Sequence, residues 1–417
     1  MPRVVIVGAS LAGLRAAQAV RRAGHDGPLT VVGAEPHMPY TRPPLSKEIL
    51  AGLQDLDSCA FPCEDVEAEW RLGTAATALD TERRELELEG GETLPYDRLV
   101  IATGARPREW TGPGAELEGL FVLRDRDHAQ ALKRALGSRP RLAVVGGGFV
   151  GCEVASSARK LGAEVTMIDV APQPMPVLGP ELGAHCAELH RSHGVELRLG
   201  VGVEGFEGAG RVEAVRLADG SRVEADVAVV ALGAAPNTEW LRSSGLELEP
   251  GVVCDATLAA RGAGGVFCAG DAAAWPHPMA DGELIRIEHW TNAAEQGTHA
   301  GRNLLVAPEE RTPYEAVPYF WSDQYDVKIQ AVGLMARAER TVVLEADADS
   351  GRFVAAGVRD GRAVAAVAFN APRRLAFYRR RLADRPSIDQ LSEEVARDER
   401  RLGDPAGAPL AAEGAAA

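Results

Sequence analysis

Two glycine-rich turns contain the residues of this sequence whose types and spacing best fit a chemical role. Small residues occupy matching positions in both turns: Gly8, Ser10 and Gly13 in VVIVGASLAGLRAA, and Gly146, Gly148 and Gly151 in LAVVGGGFVGCEVA. In such a turn the first glycine allows a tight bend, the second lets the backbone approach a pyrophosphate, and the third lets the helix pack on the strand. The N-terminus of the following helix then binds the phosphates. Two such turns predict two bound dinucleotides and electron transfer between them.

An acid follows each turn at a distance suited to binding a ribose. Glu35 lies 27 residues after Gly8, and Asp169 lies 23 residues after Gly146, compared with roughly 20 residues in the usual fingerprint. A carboxylate at this position binds the ribose diol and repels a 2′-phosphate. Because VAPQPM after Asp169 contains no arginine or lysine, we expect NADH rather than NADPH at the second turn. Ser10 replaces the second glycine of the first turn and is small enough to leave room for a pyrophosphate.

Strands and helices must position these turns. The apolar pattern predicts a strand, a helix and a strand around each turn, at 3–7, 11–23 and 29–32 and again at 141–145, to about 161, and at 165–168. Each unit is followed by a hairpin, with turns at Gly90-Gly91 and Asp219-Gly220, and by a buried strand in LVIATG or VAVVALG. The whole module therefore occurs twice.

The composition limits the possible classes of function. The chain has 417 residues, which is enough for two or three domains, and its formal net charge of −15 argues against a nucleic-acid partner. No apolar run approaches the ~20 residues needed to cross a bilayer. The first predicted strand begins at Arg3, which leaves no signal peptide before it, so we expect a cytoplasmic protein.

The cysteines and histidines predict no metal site. No two cysteines form a CxxC pair, and we expect all six to be reduced packing residues: Cys59, Cys63, Cys152, Cys186, Cys254 and Cys268. His190 and His193 have a spacing that suits a metal, but no third ligand lies nearby in the sequence. A surface helix is the expected explanation for this pair.

Further motifs follow one another along most of the chain. In order they are GASLAG, Glu35, YTRPPLSK, ATGARP, Leu123-Arg124, GGGFVGCE, ALGAAPNTEWL, AGDAAAW, EHWTNAAEQG and PYFWSDQY. This series resembles that of the FAD-dependent, NADH-using ferredoxin reductases, which supply electrons to haem-thiolate monooxygenases or to Rieske-type ring-hydroxylating dioxygenases. The resemblance covers nearly the whole chain apart from its Ala/Gly/Pro-rich end.

The motifs and the resemblance together predict the fold. It is an α/β fold with two Rossmann-like dinucleotide-binding domains, similar to glutathione reductase, and a C-terminal α+β domain with strands at 341–345, 352–359 and 362–369. The expected divisions are 1–111 with 237–317 for a discontinuous FAD-binding domain, 112–236 for an inserted NAD-binding domain, 318–402 for the C-terminal domain and 403–417 for a disordered tail.

The resemblance implies that the first turn holds FAD and the second NADH. The residues expected at FAD are Gly8, Ser10, Leu11, Ala12, Gly13, Glu35, Arg42, Lys47, Ala76, Thr103, Gly104, Arg124, Gly270, Asp271 and Trp290. Those expected at NADH are Gly146, Gly148, Phe149, Val150, Gly151, Asp169 and Gly233. Asp271 would bind the ribityl hydroxyls, the alternative being a helix N-cap for the alanines that follow. Arg42 and Arg124 would lie near the pyrophosphate or adenine, the alternative being two surface arginines.

The resemblance implies catalytic roles for Lys47, Glu153 and Trp321. Lys47 would lie beside the flavin, stabilise the reduced ring with its charge, and pair with Glu153, which compensates for burying both charges. The alternative is a solvated pair between Lys47 and Glu48. Trp290 would cover the flavin, and Trp321 would approach it from the C-terminal domain as an electron path, although either tryptophan could instead be a core residue.

These residues predict an NADH:ferredoxin oxidoreductase. Disulfide reductases have a redox-active cysteine pair where this chain reads TRPPLSKEI, so electrons must leave the flavin singly to an external carrier or go to oxygen. We therefore expect FAD to accept a hydride from NADH and to pass single electrons to a [2Fe–2S] ferredoxin. The alternatives are an NADH:rubredoxin reductase or NADH oxidase, and a redox-signalling flavoprotein that resembles apoptosis-inducing factor.

A basic stretch near the C-terminus is the expected docking site for this ferredoxin. From Arg359 to Arg385 there are eight arginines and two acids, which would steer an acidic partner. Leu375, Tyr378 and Leu382 recur at helical spacing and are expected to face inward. A solvated helix face is the alternative explanation. Neither a nucleic acid nor a membrane is an expected partner, and both a monomer and a homodimer fit the sequence.

Overall fold

The computed structural model describes residues 1–347 and 351–402, and the predicted disordered tail, 403–417, lies outside the described residues. The strands are β1 (Val4–Val7), β2 (Leu29–Gly33), β3 (Glu69–Leu72), β4 (Ala76–Asp80), β5 (Glu85–Leu88), β6 (Thr93–Pro95), β7 (Arg98–Ile101), β8 (Ala105–Pro107), β9 (Leu120–Phe121), β10 (Arg141–Val145), β11 (Glu164–Asp169), β12 (Val195–Leu199), β13 (Val203–Glu207), β14 (Ala214–Leu217), β15 (Arg222–Glu224), β16 (Val227–Val230), β17 (Ala234–Pro236), β18 (Val252–Val253), β19 (Val266–Cys268), β20 (Ala273–Pro276), β21 (Leu284–Ile285), β22 (Tyr319–Gln324), β23 (Val327–Gly333), β24 (Arg340–Asp347), β25 (Arg352–Arg359) and β26 (Arg362–Phe369). The helices are α1 (Leu11–Arg22), α2 (Arg126–Leu136), α3 (Phe149–Lys160), α4 (Pro180–Ser192), α5 (Trp290–Asn303), α6 (Pro372–Leu382) and α7 (Ile388–Leu402).

The first module is built on a five-stranded parallel sheet. Its strand order is β19-β7-β1-β2-β3, and every neighbouring pair in it is parallel. All four residues of β1, VVIV, are buried, as expected for a parallel strand covered on both faces. Helix α1 packs against α5 so closely that a Cβ added to Gly297 would lie 2.2 Å from the backbone oxygen of Ala12.

The second module repeats this arrangement. Its parallel sheet has the order β12-β11-β10-β16-β9. The elements predicted around both glycine turns are confirmed to within one residue. The predicted hairpins are also present, since β5 pairs with β6 and β14 pairs with β15, both antiparallel.

Short antiparallel strands connect the two modules. Strand β8, which follows the ATG motif, pairs with β17, which follows the corresponding ALG motif. Each of these strands begins four residues after the end of a strand of its own parallel sheet, β8 after β7 and β17 after β16. The pairing therefore fixes the carboxyl ends of the two sheets relative to each other.

The C-terminal sheet packs against the second module. Its order is β22-β23-β26-β25-β24, antiparallel throughout, and the three strands predicted between 341 and 369 are confirmed. In β22, Phe320, Ser322 and Gln324 are buried while the residues between them are half-buried. Phe320 shares a hydrophobic core with residues of β10 and α3. One face of β22 is therefore turned toward the second glycine turn.

The last two helices cover the other side of the C-terminal sheet. Helix α6 buries Leu375, Tyr378 and Leu382, as predicted, whereas α7 was not predicted from the sequence. Among the described residues, none of the helices combines the length and the apolar character that a membrane span requires.

Candidate active site

A cleft of about 690 Å³ opens at the carboxyl ends of β1 and β2. It is lined by the first glycine turn, a 3₁₀ helix at Pro43–Ser46, the starts of α3 and α5, and β22. The cleft therefore lies where both modules and the C-terminal sheet meet. The carboxyl ends of parallel strands are the usual place for a bound nucleotide in folds of this class.

Most of the residues predicted to bind a cofactor or to take part in catalysis line this cleft. They are Gly8, Ser10, Leu11, Ala12, Glu35, Arg42, Lys47, Ala76, Thr103, Gly104, Arg124, Phe149, Val150, Glu153, Gly270, Asp271, Trp290 and Trp321. The predicted residues outside its lining are Gly13, Gly146, Gly148, Gly151, Asp169 and Gly233. All of these except Gly13 belong to the second module, at the carboxyl edge of its sheet.

The first glycine turn has the geometry that its residue types require. Gly8 has a φ of +124°, and a Cβ there would lie 2.1 Å from the backbone oxygen of Ala102. A Cβ on Gly13 would lie 1.9 Å from the oxygen of Gly8, so helix and strand contact directly. Ser10 is the N-cap of α1 and makes no capping hydrogen bond through its side chain within the described chain. The first amides of α1 are therefore left for an anion.

The second glycine turn has nearly the same backbone. Gly146 has a φ of +105° and lies against the oxygen of Ala231, 2.3 Å from where its Cβ would be. A Cβ on Gly151 would lie 1.9 Å from the oxygen of Gly146. Gly148, the N-cap of α3, would meet no described atom within 4 Å. The backbone is thus open to close approach at this point.

Glu35 is held by side chains of the segment that follows it. Its carboxylate accepts a hydrogen bond from Tyr40 Oη at 2.5 Å and forms an ion pair with Arg42. Arg42 also donates to Tyr40 Oη at 2.9 Å and to the backbone oxygen of Arg124 at 3.0 Å. Burial, with Glu35 beside it, raises the pKa of the Tyr40 hydroxyl. Arg42 is therefore part of the cleft rather than a surface arginine.

Asp169 is held by the glycine turn of its own module. Its Oδ2 accepts from the backbone N–H of Gly147 at 2.5 Å, and its Oδ1 accepts from Ala171 at 2.7 Å. The carboxylate thus stands at the end of β11, directly beside the second glycine turn. This is the position of a ribose-binding acid.

Asp271 lies opposite Arg124 in the cleft. Arg124 Nη2 donates to Asp271 Oδ2 at 2.8 Å, and the Asp271 side chain is 11% exposed. Asp271 belongs to a 3₁₀ helix, Gly270–Ala272, and the alanines after it form β20. Because these alanines form a strand, Asp271 does not cap a helix.

Lys47 and Glu153 form a buried ion pair between the two modules. Lys47 Nζ lies 3.0 Å from Glu153 Oε1, and the side chains are 9% and 6% exposed. Burial raises the pKa of the Glu153 carboxyl, opposed by Lys47 and by hydroxyl donors from Ser46 and Ser322. Lys47 is thus paired across the cleft rather than in a solvated pair with Glu48.

Aromatic side chains close the cleft on the side of the C-terminal sheet. Trp290 Nε1 donates to Thr41 Oγ1 at 3.2 Å, and its ring lies 6.1 Å from that of Trp321. Trp321 in turn stacks on Tyr319 with 5.9 Å between ring centroids. Both tryptophans are half-buried and line the cleft, so neither is a core residue remote from it.

His289 is a cleft residue that the sequence reasoning missed. It directly precedes α5, and its ring lies 5.0 Å from that of Phe320. Burial lowers the pKa of its imidazole to about 4, although the charge of Asp271 acts in the opposite direction. Its Nδ1 is buried without a hydrogen-bond partner among the described residues. Its place in EHW, next to Trp290, was the available signal.

The expectation that His190 lies on a surface helix is wrong. It lies in α4 but is fully buried, with Nδ1 2.9 Å from Tyr325 Oη. Tyr325 belongs to the turn between β22 and β23, and its ring stacks on His193 at 3.7 Å. The correction arises because the C-terminal hairpin covers this end of α4, a contact between parts of the chain far apart in sequence.

These features fit two dinucleotides. Each glycine turn presents a helix N-terminus that no side chain caps and that has no acid in its first turn, among the described residues. An acid lies at or just after the end of the second strand of each module, and Lys47 and Trp290 both line the cleft of about 690 Å³. The unpartnered His289 Nδ1 is the kind of buried polar atom that a bound ligand can satisfy.

Comparison with known proteins agrees with this geometry. Residues 2–297 match the pyridine nucleotide-disulphide oxidoreductase family, and residues 319–402 match the reductase C-terminal family. The biphenyl dioxygenase system ferredoxin–NAD(+) reductase component of Paraburkholderia xenovorans (strain LB400) is 39% identical over 393 residues, which are 92% of this chain and 94% of that protein.

Solved structures give the same result. The structure of the covalent putidaredoxin reductase–putidaredoxin complex superposes with a TM-score of 0.87 at 31% identity, covering 96% of this chain and 99% of that one. The ferredoxin reductase for the CYP199A2 system of Rhodopseudomonas palustris also has a TM-score of 0.87 at 31% identity, covering 93% and 95%. The predicted fold class and the predicted use of FAD and NADH are confirmed. The chain therefore belongs to the pyridine nucleotide-disulphide oxidoreductase family, among its ferredoxin–NAD(+) reductases.

Proposed function

We propose that this chain moves electrons from NADH, through FAD, to a [2Fe–2S] ferredoxin that serves a monooxygenase or dioxygenase. In this proposal residues 1–111 and 237–317 hold FAD, residues 112–236 bind NADH, and residues 318–402 complete the cleft. The relatives named above support the ferredoxin as acceptor. A [2Fe–2S] centre suits the need for a one-electron carrier.

The observation that carries the proposal is the Lys47–Glu153 ion pair. One residue comes from each module, and their charged atoms lie 3.0 Å apart in the wall of the shared cleft. A buried pair of this kind is costly to maintain without a function that uses it. Its position is where the ring systems of two dinucleotides, each on its own glycine turn, would face each other.

In this proposal the residues of the cleft have separate roles. Bound FAD would supply the chemistry that accepts a hydride and releases electrons singly. Glu35 and Asp271 would orient the cofactor through its ribose and ribityl hydroxyls, while Lys47 would hold positive charge beside the ring. Trp290 and Trp321 would exclude water and line the route toward the partner.

Rapid-mixing kinetics test the proposal as a whole. The FAD-loaded protein is mixed with NADH or NADPH, flavin absorbance is followed, and the reduced protein is then mixed with candidate [2Fe–2S] ferredoxins. We expect NADH to reduce the flavin much faster than NADPH, and at least one ferredoxin to reoxidise it faster than oxygen does. Reoxidation by oxygen or rubredoxin alone would contradict the proposal, as would a long-lived complex with NADH that no carrier reoxidises.

A substitution at Lys47 tests the ion pair directly. Removing a preorganised charge from an active site commonly slows the chemical step 100-fold or more, so we expect flavin reduction by NADH in Lys47→Ala to slow by roughly 10- to 100-fold. Lys328→Ala is a matched control, since Lys328 Nζ lies 3.5 Å from Asp323 in an exposed pair. An unchanged rate in Lys47→Ala would refute the role.

The proposed ferredoxin-docking surface contains both paired and exposed arginines. Five arginines of the Arg359–Arg385 stretch form ion pairs with acids of this chain: Arg359 with Asp360, Arg374 with Glu345, Arg379 with Glu295, Arg381 with Glu394, and Arg385 with Asp281. Arg362, Arg373 and Arg380 are exposed. We therefore assign docking to these exposed arginines.

Salt dependence tests the docking surface, because surface charges are screened at moderate ionic strength. Ferredoxin reduction should fall more steeply with salt than dye reduction. In the double variant Arg373→Glu/Arg380→Glu, the salt dependence of ferredoxin reduction should come close to that of dye reduction. Arg242 is an exposed arginine of another region, and Arg242→Glu should leave the two salt dependences as different as in the unmodified protein. Identical salt dependence for ferredoxin and dye would rule the surface out.

A further inference from the structure

The Glu153 carboxylate receives hydrogen bonds from two distant parts of the chain. Ser46 Oγ donates to Oε2 at 2.5 Å, while Lys47 Nζ and Ser322 Oγ lie 3.0 Å and 2.8 Å from Oε1. Ser46 and Lys47 belong to the segment after the first glycine turn. Ser322 belongs to β22 of the C-terminal sheet, so a third unit contributes to a pair that otherwise joins the two modules.

Ser322 has its single proton committed to Glu153. Its hydroxyl is fully buried and accepts a hydrogen bond from Gln324 Nε2 at 3.2 Å. Because a serine hydroxyl has one donor, its proton is left for the carboxylate. The contacts continue outward from Gln324 to His190, and from His190 to Tyr325.

The register of β22 on α3 fixes Ser322 in place. Phe320, two residues before it, packs against Phe149 with 4.7 Å between ring centroids. At the other end, the backbone N–H of Tyr325 donates to Ser156 Oγ at 2.6 Å, one turn of α3 beyond Glu153. Ser322 is thus held between two contacts with the helix that carries Glu153.

We propose that Ser322 is a positioning residue of the active site, which fixes the Glu153 carboxylate and, through it, the Lys47 ammonium. This inference rests on the proposed function, in which Lys47 lies beside the flavin. It gives the C-terminal unit a part in setting the charge around the cofactor, in addition to covering the cleft.

The physical reason is the cost of a buried carboxylate. Burial raises the pKa of Glu153, and the Ser322 donor is one of the groups that oppose this. The titratable groups that face it are Lys47 and, beside it on α3, Cys152, while β22 presents only the neutral Ser322 and Gln324. Without the Ser322 hydroxyl, Glu153 binds a proton at higher pH, which leaves the Lys47 charge uncompensated.

The midpoint potential of bound FAD, measured against pH, tests this positioning role. A carboxyl that takes up a proton on reduction puts a bend in the plot of potential against pH. In Ser322→Ala we expect this bend at a pH higher by about one unit, a tenfold change in proton affinity, with the potential more positive near neutral pH. Ser322→Cys, which is close in volume but has only a weak donor, should show the same shift as Ser322→Ala. Ser322→Thr keeps the hydroxyl and should give the same plot of potential against pH as the unmodified protein.

Ser156→Ala is the matched control. It removes a hydrogen bond between the same hairpin and the same helix without touching Glu153, so it should leave the bend where it is. Equal shifts in Ser156→Ala and Ser322→Ala, or no shift in Ser322→Ala and Ser322→Cys, would overturn the positioning role. Failure of the unmodified protein to bind FAD would instead contradict the proposed function.

Discussion

The two glycine turns have nearly the same backbone but different surroundings. In both, a helix lies within van der Waals contact of the preceding strand, and in both a Cβ at the last glycine would lie 1.9 Å from the oxygen of the first. Around the first turn, Glu35 is tied to Tyr40 and Arg42 in a separate segment. Around the second, Asp169 is tied to its own turn.

The surroundings of the two turns also differ in their exposure to solvent. Val170 and Leu232, just after two strands of the second parallel sheet, are 74% and 40% exposed, whereas the first turn lies in the wall of the cleft with α5 packed against α1. We infer that the local turn supplies the phosphate-binding chemistry, and that the surroundings decide whether a nucleotide is enclosed or can exchange. The enclosed turn would retain FAD, and the open one would exchange NADH.

The largest effects are expected from filling the last glycine of each turn. A Cβ 1.9 Å from a backbone oxygen cannot be accommodated without moving the helix, which costs about 3 kcal/mol. Gly13→Ala should purify with little or no FAD, whereas Gly151→Ala should retain FAD and lose reduction by NADH. The FAD content of purified protein and the rate of flavin reduction measure the two outcomes.

Acid titration should affect the second module through His190. Burial lowers the pKa of its imidazole to about 4, below the value of about 6.5 in an unfolded chain. The unfolded state thus binds more protons between these values, and stability is lost as pH falls from about 6.5 to 4, by roughly 3 kcal/mol for this residue. Urea unfolding at pH 7 and pH 4.5 should show a smaller loss in His190→Gln than in the unmodified protein.

His193→Gln is the control for this prediction, since His193 also contacts Tyr325 but is partly exposed. It should keep most of the loss of stability at low pH, because burial is the main cause that lowers the pKa of His190 and the charge of His193 is a smaller one. Were His190→Gln to lose as much stability as the unmodified protein, the buried neutral imidazole would not be the source of the acid sensitivity.

Exchanging the acids for amides should separate the two turns by readout. Asp169→Asn weakens the repulsion of a 2′-phosphate, so the preference for NADH over NADPH, measured as a ratio of kcat/KM, should fall about tenfold, equivalent to 1.4 kcal/mol. Glu35→Gln should leave this ratio unchanged and weaken the binding of FAD to the apoprotein. A change of nicotinamide preference in Glu35→Gln would reverse our assignment of the turns.

The smallest effect is expected from making the second turn resemble the first. In Gly148→Ser the added Cβ meets no described protein atom within 4 Å, and Ser10 already occupies the matching position of the first turn. Thermal stability and FAD content should therefore be unchanged, and the KM for NADH should rise only a few-fold. An increase of 100-fold or more would show that the pyrophosphate approaches the second turn more closely than the first.

Sequence reasoning succeeded where the chemistry is local. The glycine spacing, the acid at the end of each second strand and the alternation within the hairpins depend on neighbours a few residues away, and the elements around both turns were predicted to within one residue. Lys47 and Glu153 were found through the resemblance to a family, since nothing in their local sequence shows that they form a pair.

The sequence by itself determined that the chain has two nucleotide-binding modules, each with its turn and its acid. The tertiary structure decided how these modules and the C-terminal sheet share a cleft. It brought Ser322 into hydrogen-bonding contact with Glu153, 169 residues away in the sequence. It also buried His190, which contacts Tyr325. These contacts depend on the packing of β22 and its hairpin against α3 and α4. Periodicity along the chain reflects only nearby residues, so it does not predict which surfaces are covered by residues far away in sequence.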